Sequence, residues 1–529
     1  MKTFFLKKSS LFFTSLFLLG LLFQLFCFQY GRDQAIYSVA ANSILEGGAP
    51  YKDVWDFKSP GIFFIYAFSK SVLGSSQHSI RLLEGLSFIS LIWAFSIFTR
   101  RYFGSSFIGF FGGVFALLNH VQLGFWETAQ PESFGAVFLA WALVCVTTRQ
   151  QTKSTYSPRE TICWFLSGIL CASAGLLKPT LGFCFVVLLG TVLYPLLSKA
   201  KSEKKTKHIT AVVLSFFSGA ALIIFACGLF FMNKGALSDL YNTFFVFVPG
   251  YVSLNFSLTK IFILLLKALK HWIFSFSIMN AAGLVMFCAF FPSDKREREG
   301  GVHLIGIIGV LLFGVLLQAK FFPYHYSAVL PFCSLLAICG FWAVWKKLNR
   351  KKTIIMIIVL GVALQAYQKG VFEQGLLQLQ AVLNKEERTR INDRLYSLHD
   401  QNRKANRNAA EWINKNTPEN SSIYIWGFEP VIYELSGRKP ASRYIYNIPQ
   451  RCDWSKDAAR RELMRELRNN IPSAVIVARN DILEHVTGNK KDSAEELKSF
   501  FELNKFIENN YHLPVYFEDL GIYKAKPEQ

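Results

Sequence analysis

Residues 10–28 read SLFFTSLFLLGLLFQLFCF, and residues 31–45 read GRDQAIYSVAANSIL. The first run has no charge, and its length is close to the ~20 apolar residues that a helix needs to cross a bilayer. The second opens on Arg32-Asp33 and continues with mildly amphipathic spacing. This pairing sets the fold class: a membrane span that passes at once into a charged helix. Two readings of the charges compete. In one they only mark where the membrane stops, with Asp33 capping the helix that starts near Gln34, a role Asp favours. In the other Asp33 is a chemical group held at the membrane surface.

The whole chain has the same character. Of its 529 residues 52% are hydrophobic and 52 are Phe, too apolar for one soluble core. Mean hydropathy is +0.29. The net charge of +21 does not point to nucleic acid. The basic residues sit mostly in short loops between apolar runs and in the tail, where a membrane surface accounts for them. Nine of the ten cysteines lie in apolar runs, Cys452 alone in polar sequence. With no CxxC and no Cys/His spacing, neither a disulfide framework nor a zinc site is supported. The opening MKTFFLKKSS resembles a signal peptide, but no small-x-small site follows Phe28, so an uncleaved first span is expected.

Eleven apolar runs qualify as spans: 10–29, 82–99, 104–121, 132–148, 161–177, 180–198, 209–232, 271–291, 302–319, 326–345 and 353–369. The stretch 161–198 has a single charge, Lys178. As one helix it would be about 57 Å long against a core of about 30 Å, so it divides at Lys178-Pro179. With the N-terminus inside, the inner loops hold 21 Lys and Arg and the outer segments 11. That bias puts the N-terminus in the cytoplasm and residues 370–529 outside it. Two helices in 30–81 and one in 258–272 have the spacing of helices lying at the interface. The tail alternates helix (NRNAAEWINKNT, DAARRELMRELRNN, AEELKSFFELNKFIENN) with strand (SSIYIWGF, PSAVIVAR, HLPVYFEDLGIYKA). The expected architecture is a mainly α polytopic helix bundle, residues 1–369, followed by a small extracytoplasmic α/β domain, 370–529.

This topology brings acids and bases from five segments to one face. They are Asp33; Asp53, Asp56 and Lys58 in YKDVWDFKSPG; Glu127, Gln130 and Glu132 in WETAQPES; Lys178; and Lys320, Tyr324, His325 and Tyr326 in KFFPYHYSAVLP. Ionisable groups at span ends are costly unless they face a cavity or one another. Carboxylates beside cations suit sugar transfer from a lipid phosphate. A carboxylate takes the acceptor's proton, cations stabilise the departing phosphate, and carboxylates favour an oxocarbenium-like sugar.

These motifs resemble the bacterial polytopic glycosyltransferases of the GT-C fold, the family-39/family-83 group that includes protein O-mannosyltransferases and lipid A aminoarabinose transferases. The match runs through Asp33-Gln34, PYKDVWDFKSP, QPES, GLLKP and HYSAVLP, over most of residues 10–345. Tail residues 409–444 look like the extracytoplasmic domain of many members. Gln34 stands where the family often has Glu, which leaves Asp33 as the only acid of that pair. The resemblance implies Asp33 as base or acceptor-orienting group, and Lys58, Lys178, Lys320 and His325 on the donor phosphate. It implies Asp53, Asp56, Glu132 and Gln130 on sugar or acceptor. The implied reaction is a single inverting displacement from a polyprenyl-phosphate-linked sugar to a lipid, glycan or protein acceptor, at a bacterial inner membrane. No metal ligand set is named, and a divalent cation stays open.

Each residue also has a plainer use. Asp53 and Asp56 suit a solvated loop, Lys58 and Lys178 can snorkel to headgroups, and Glu132 suits a helix N-terminus. Tyr324 and Tyr326 suit an interfacial belt, and Trp426 and Glu429 read as fold residues of the tail. The rival functions are a transporter or flippase, which would place charges near the bilayer midplane, and a non-catalytic glycan assembly or export protein.

Overall fold

The computed structural model describes residues 2–147, 157–197, 203–254, 257–271, 273, 278–347, 351–398 and 401–527. In chain order the helices are α1 (Lys2–Cys27), α2 (Arg32–Leu45), α3 (Gly61–Leu73), α4 (Gln77–Phe103), α5 (Ser106–Val121), α6 (Pro131–Val146) and α7 (Pro158–Leu177). After Lys178 come α8 (Pro179–Gly182), α9 (Cys184–Leu197), α10 (Glu203–Asn233), α11 (Leu237–Tyr241), α12 (Val248–Ser253) and α13 (Leu258–His271). Then follow α14 (Ile278–Ala289), α15 (Lys295–Gln318), α16 (Val329–Lys347), α17 (Lys351–Gln368), α18 (Val371–Leu383), α19 (Lys385–Leu395) and α20 (Arg403–Asn416). The remainder mixes strands with short helices: β1 (Ser422–Trp426), α21 (Val431–Ser436), β2 (Lys439–Pro440), α22 (Ile448–Arg451), α23 (Lys456–Asn469) and β3 (Ala474–Ala478). Last come α24 (Glu484–Thr487), α25 (Ser493–Ser499), α26 (Phe501–Asn510), β4 (Val515–Phe517) and β5 (Leu520–Lys524).

Each of the eleven expected runs contains a helix. Among the described residues five helices are long and apolar enough to cross a membrane, or up to eight if three pairs separated by short breaks each count as one span. Five more apolar helices are shorter. The break expected at Lys178-Pro179 is present: Lys178 is extended (φ −156°, ψ 122°) between α7 and α8. The basic inner loops 149–160, 199–208 and 346–352 lie partly outside the described residues.

The chain packs as two compact units. One comprises Met1–Phe28, Ser76–Gly228 and Leu258–Leu379, and the other Gln29–Ser75, Leu229–Ser257 and Gln380–Gln529. The first unit is a helix bundle. Hydrophobic surface gives helices little reason to associate in lipid, so close backbone approach and buried polar bonds hold them. Gly109 on α5 lies so near α4 that a Cβ there would sit 2.3 Å from the Phe95 backbone. On α17, Gln365 Nε2 donates to Asn119 Oδ1 of α5 at 2.9 Å, and Asn119 Nδ2 donates to Ser334 Oγ of α16 at 3.0 Å.

The second unit is built around a five-stranded sheet of order β2-β1-β3-β5-β4. β1 runs parallel to β2 and β3, and the β4–β5 hairpin joins antiparallel through β5. The alternation of strand and helix read from the tail therefore gives the expected small α/β body, with Ile423, Ile425, Ile476 and Ile522 buried in it. Gly427, just past β1, approaches β3 so closely that a Cβ would lie 2.4 Å from Ala478 Cβ. Two buried ion pairs lie just beyond the strand ends. Arg32 Nη2 donates to Glu429 Oε1 at 2.5 Å, and Arg451 Nη1 is 3.4 Å from Asp481 Oδ2. Asn406 Nδ2 fills the second Glu429 oxygen at 2.6 Å. A further tie joins α3, α2 and α21: the buried Lys70 Nζ donates to Asn42 Oδ1 at 2.8 Å and reaches Glu434 Oε2 at 3.4 Å.

Candidate active site

Gly31 caps α2, not Asp33: Gly31 is extended and its N–H is taken by Gln34 Oε1 at 3.0 Å. Asp33 therefore lies inside the first turn, with its carboxylate near the positive end of the helix dipole. The two opening charges part company. Arg32 turns to Glu429, while Asp33 Oδ1 lies 3.1 Å from Lys58 Nζ. The same ammonium is 3.6 Å from Asp56 Oδ1, which also accepts from Tyr446 Oη at 2.5 Å.

The YKDVWDFKSPG segment is folded to deliver these groups. Tyr51 adopts φ +70°, a strained conformation for a non-glycine residue, and its hydroxyl donates to Lys58 O at 2.8 Å. Pro60, the N-cap residue of α3, ends the loop. Trp55, Phe57, Phe247, Tyr251 and Tyr446 form an aromatic wall, with ring centroids 4.7–5.9 Å apart between neighbours. Lys58 Nζ stands 5.0 Å from the Phe57 ring and 5.6 Å from Tyr37. Burial alone would lower the Lys58 pKa, but Asp33 and Asp56 outweigh it and hold the ammonium well above the ordinary lysine range. Asp53 does not join this group. It is exposed, and its Oδ2 accepts from Ala49 N at 2.7 Å within its own turn.

A hard divalent cation takes oxygen ligands, and Mg²⁺ needs only one or two carboxylates beside water and phosphate. Here the two carboxylates already flank an ammonium, and among the described residues no three His, Cys, Asp or Glu side chains converge on a metal position. Lys58 Nζ thus stands where a cation held by both carboxylates would sit.

The helix-bundle unit carries its own polar group. Pro131 opens α6 and places Glu132 in the first turn, buried, where Oε1 pairs with Lys178 Nζ. The other oxygen, Oε2, is buried with no hydrogen-bond partner among the described residues. Lys178 Nζ is 5.5 Å from the Tyr324 ring, whose backbone N–H donates to Glu127 Oε2 at 3.1 Å. His325 packs edge-on against Tyr324, centroids 4.6 Å apart, with Nδ1 buried and without a hydrogen-bond partner among the described residues. Burial first, then the positive charges of Lys178 and Lys320, push His325 well below the usual imidazole range. Lys320 is buried between Ala319 and Phe321, both at φ +53°. Left-handed backbone at two non-glycine residues is a strained arrangement of the kind that clusters at functional sites. Gln130 is buried and turned onto its own loop, Nε2 to Trp126 O at 3.2 Å.

Sequence reasoning named the charged residues of both groups, as one set at one face, and missed their supports. Tyr446 lies 390 positions from Asp56, in no motif. The second support is a buried network in the bundle. Glu84 of α4 accepts from His120 Nε2 at 2.7 Å, from Ala129 N at 2.5 Å and from Arg81 Nη1 at 3.2 Å. It pins the loop leading to Gln130 and Glu132, with Ala129 held at φ +54°. An acid and an arginine at one end of a span were the available signal.

A family model described as dolichyl-phosphate-mannose-protein mannosyltransferase matches residues 57–226. No curated protein sequence matches the chain. Two crystal structures of ArnT from Cupriavidus metallidurans are similar along nearly the whole length. The apo structure has 13% identity and a TM-score of 0.58, covering 99% of each chain. The structure bound to undecaprenyl phosphate has 13% identity and a TM-score of 0.57, covering 98% of this chain and 99% of the other. With its apolar helices and the small sheet near its C-terminus, this chain is a multi-pass membrane protein of the GT-C fold.

Proposed function

We propose that the protein is a membrane glycosyltransferase that moves a hexosyl or pentosyl group from a polyprenyl-phosphate donor to an acceptor hydroxyl at the extracytoplasmic face. The observation that carries this reading is the Asp33–Lys58–Asp56 group, two buried carboxylates on a half-buried ammonium, backed by Tyr446 and walled by aromatic rings. The similar ArnT structure bound to undecaprenyl phosphate supports a lipid-phosphate donor.

The acceptor oxygen attacks the anomeric carbon while its proton passes to the Asp33 carboxylate. The bond from the anomeric carbon to the phosphate oxygen breaks, its electron pair leaves with the lipid phosphate, and the configuration inverts. Lys58 fixes the orientation of Asp33, and Asp56 with Tyr446 fixes Lys58. Lys178, Lys320 and His325 receive the donor phosphate, with Glu132 orienting Lys178. A neutral His325 donates or accepts a hydrogen bond there without adding to the crowded positive charge.

Transfer in proteoliposomes with a panel of polyprenyl-phosphate sugars tests this. Asp33→Asn keeps the shape and loses the base, so kcat falls by about 10²–10⁴-fold. Lys178→Met raises the donor KM, because it removes binding energy for the phosphate. Wild-type turnover in Asp33→Asn, with any donor the wild type uses, refutes the assignment.

A further inference from the structure

In the sheet-containing unit a cavity of about 940 Å³ is lined by residues of α2, α3 and the tail, and Asp33 is not among them. Asn42, which lines it, is nine positions after Asp33, about half a turn round α2 and about 13 Å along it. The cavity lining is rich in charge, with Val39, Val54, Pro440 and Ala441 as its apolar part. Six cations line it against four carboxylates, and the most buried of them is Lys70, its ammonium held by Asn42 and Glu434. Glu46 and Lys439 pair across the rim at 2.8 Å.

Three of the cations have only neutral oxygens as bonding partners among the described residues. Lys52 Nζ donates to Lys234 O at 2.9 Å and Lys234 Nζ to Gly47 O at 2.8 Å. The buried Arg438 donates to Thr417 and Ser436 oxygens. Ammonium and guanidinium groups with spare N–H bonds favour an anion. Yet Glu46 and Asp53 also face the cavity, and they would repel a bare phosphate. Carboxylates accept hydrogen bonds from hydroxyls, and Ser43 and Ser442 add hydroxyls of their own. The set matches a ligand that carries many hydroxyls and one acid group. The volume is at the upper end of the usual ~300–1,000 Å³ for small-molecule sites, room enough for more than one sugar ring.

We propose that this cavity is a second ligand site, separate from the proposed transfer site, and that it binds an anionic sugar bearing a phosphate or carboxylate. The test is calorimetric binding to the full chain in nanodiscs, with glucose 1-phosphate, glucuronate, glucose and inorganic phosphate as probes. Glucose 1-phosphate and glucuronate should bind at least ~10-fold more tightly than glucose or phosphate alone. Lys52→Ala with Lys439→Ala, both at the exposed rim, should weaken them by about 10-fold. Asp33→Asn should leave binding unchanged. Inorganic phosphate binding as tightly as glucose 1-phosphate overturns the proposal, and so does wild-type affinity in the rim variant. Loss of binding in Asp33→Asn overturns the separation from the transfer site.

Discussion

Lys58 and His325 show how far a side chain's use depends on what surrounds it. Lys58 was legible as one cation in a loop of acids, with snorkelling to headgroups as the plainer use. The structure turns it inward between two carboxylates. The hydroxyl that steadies Asp56 was not legible, because Tyr446 is an ordinary tyrosine in the tail and only folding brings it near. Tyr446→Phe removes a hydrogen bond to a buried charge, a loss of about 1.5–3 kcal/mol. Its thermal midpoint should fall, and an unchanged midpoint would show that the bond does not brace Asp56. His325 makes a pH prediction. Its folded pKa lies below its unfolded value of about 6.5, so the unfolded chain takes the proton first. Stability is full above that value and declines as pH falls through it. Between about pH 7.5 and about pH 5 the wild type should lose more thermal stability than His325→Gln. Parallel curves would count against a buried neutral imidazole.

At the scale of elements, the long apolar runs were the easiest to read, since each contains a helix near its expected place. Short elements were harder. AEELKSFFELNKFIENN has helical spacing throughout, yet α25 and α26 break at Phe500. The Phe500 ring packs 5.7 Å from Trp426 and 4.7 Å from Arg460, so tertiary contact overrides local propensity. The two-residue β2 is set by pairing with β1 and leaves no pattern of its own. For α2 the decisive bond is Arg32 to Glu429, both nearly inaccessible to solvent. Arg32→Met takes the guanidinium away from the buried Glu429 carboxylate, at a cost of about 3–5 kcal/mol. Replacing Glu429 by Met as well should restore much of the lost thermal stability, because no buried charge is then orphaned. Equal midpoints for single and double variants would contradict this account.

For the whole molecule, the order of segments in the sequence does not reveal which of them pack together. Residues 29–75 join the C-terminal body through contacts such as Arg32 to Glu429, 397 positions apart, which no periodicity can signal. A chain ending before residue 380 loses Glu429, Glu434 and Tyr446, and leaves Arg32 and Lys70 without their carboxylates. Its 46–60 loop should become cleavable by protease in nanodiscs, where the full chain resists; equal resistance would mean that 29–75 folds unaided. The sheet adds a last consequence. In open α/β folds the crevice beyond the carboxyl ends of parallel strands is where cofactors settle. Here the peptides leaving β1 and β3 carry Glu429 and Asp481 into that space, and Arg32 and Arg451 plug it. The tail thus works as a vise on α2, its jaws kept shut by the missing side chain at Gly427.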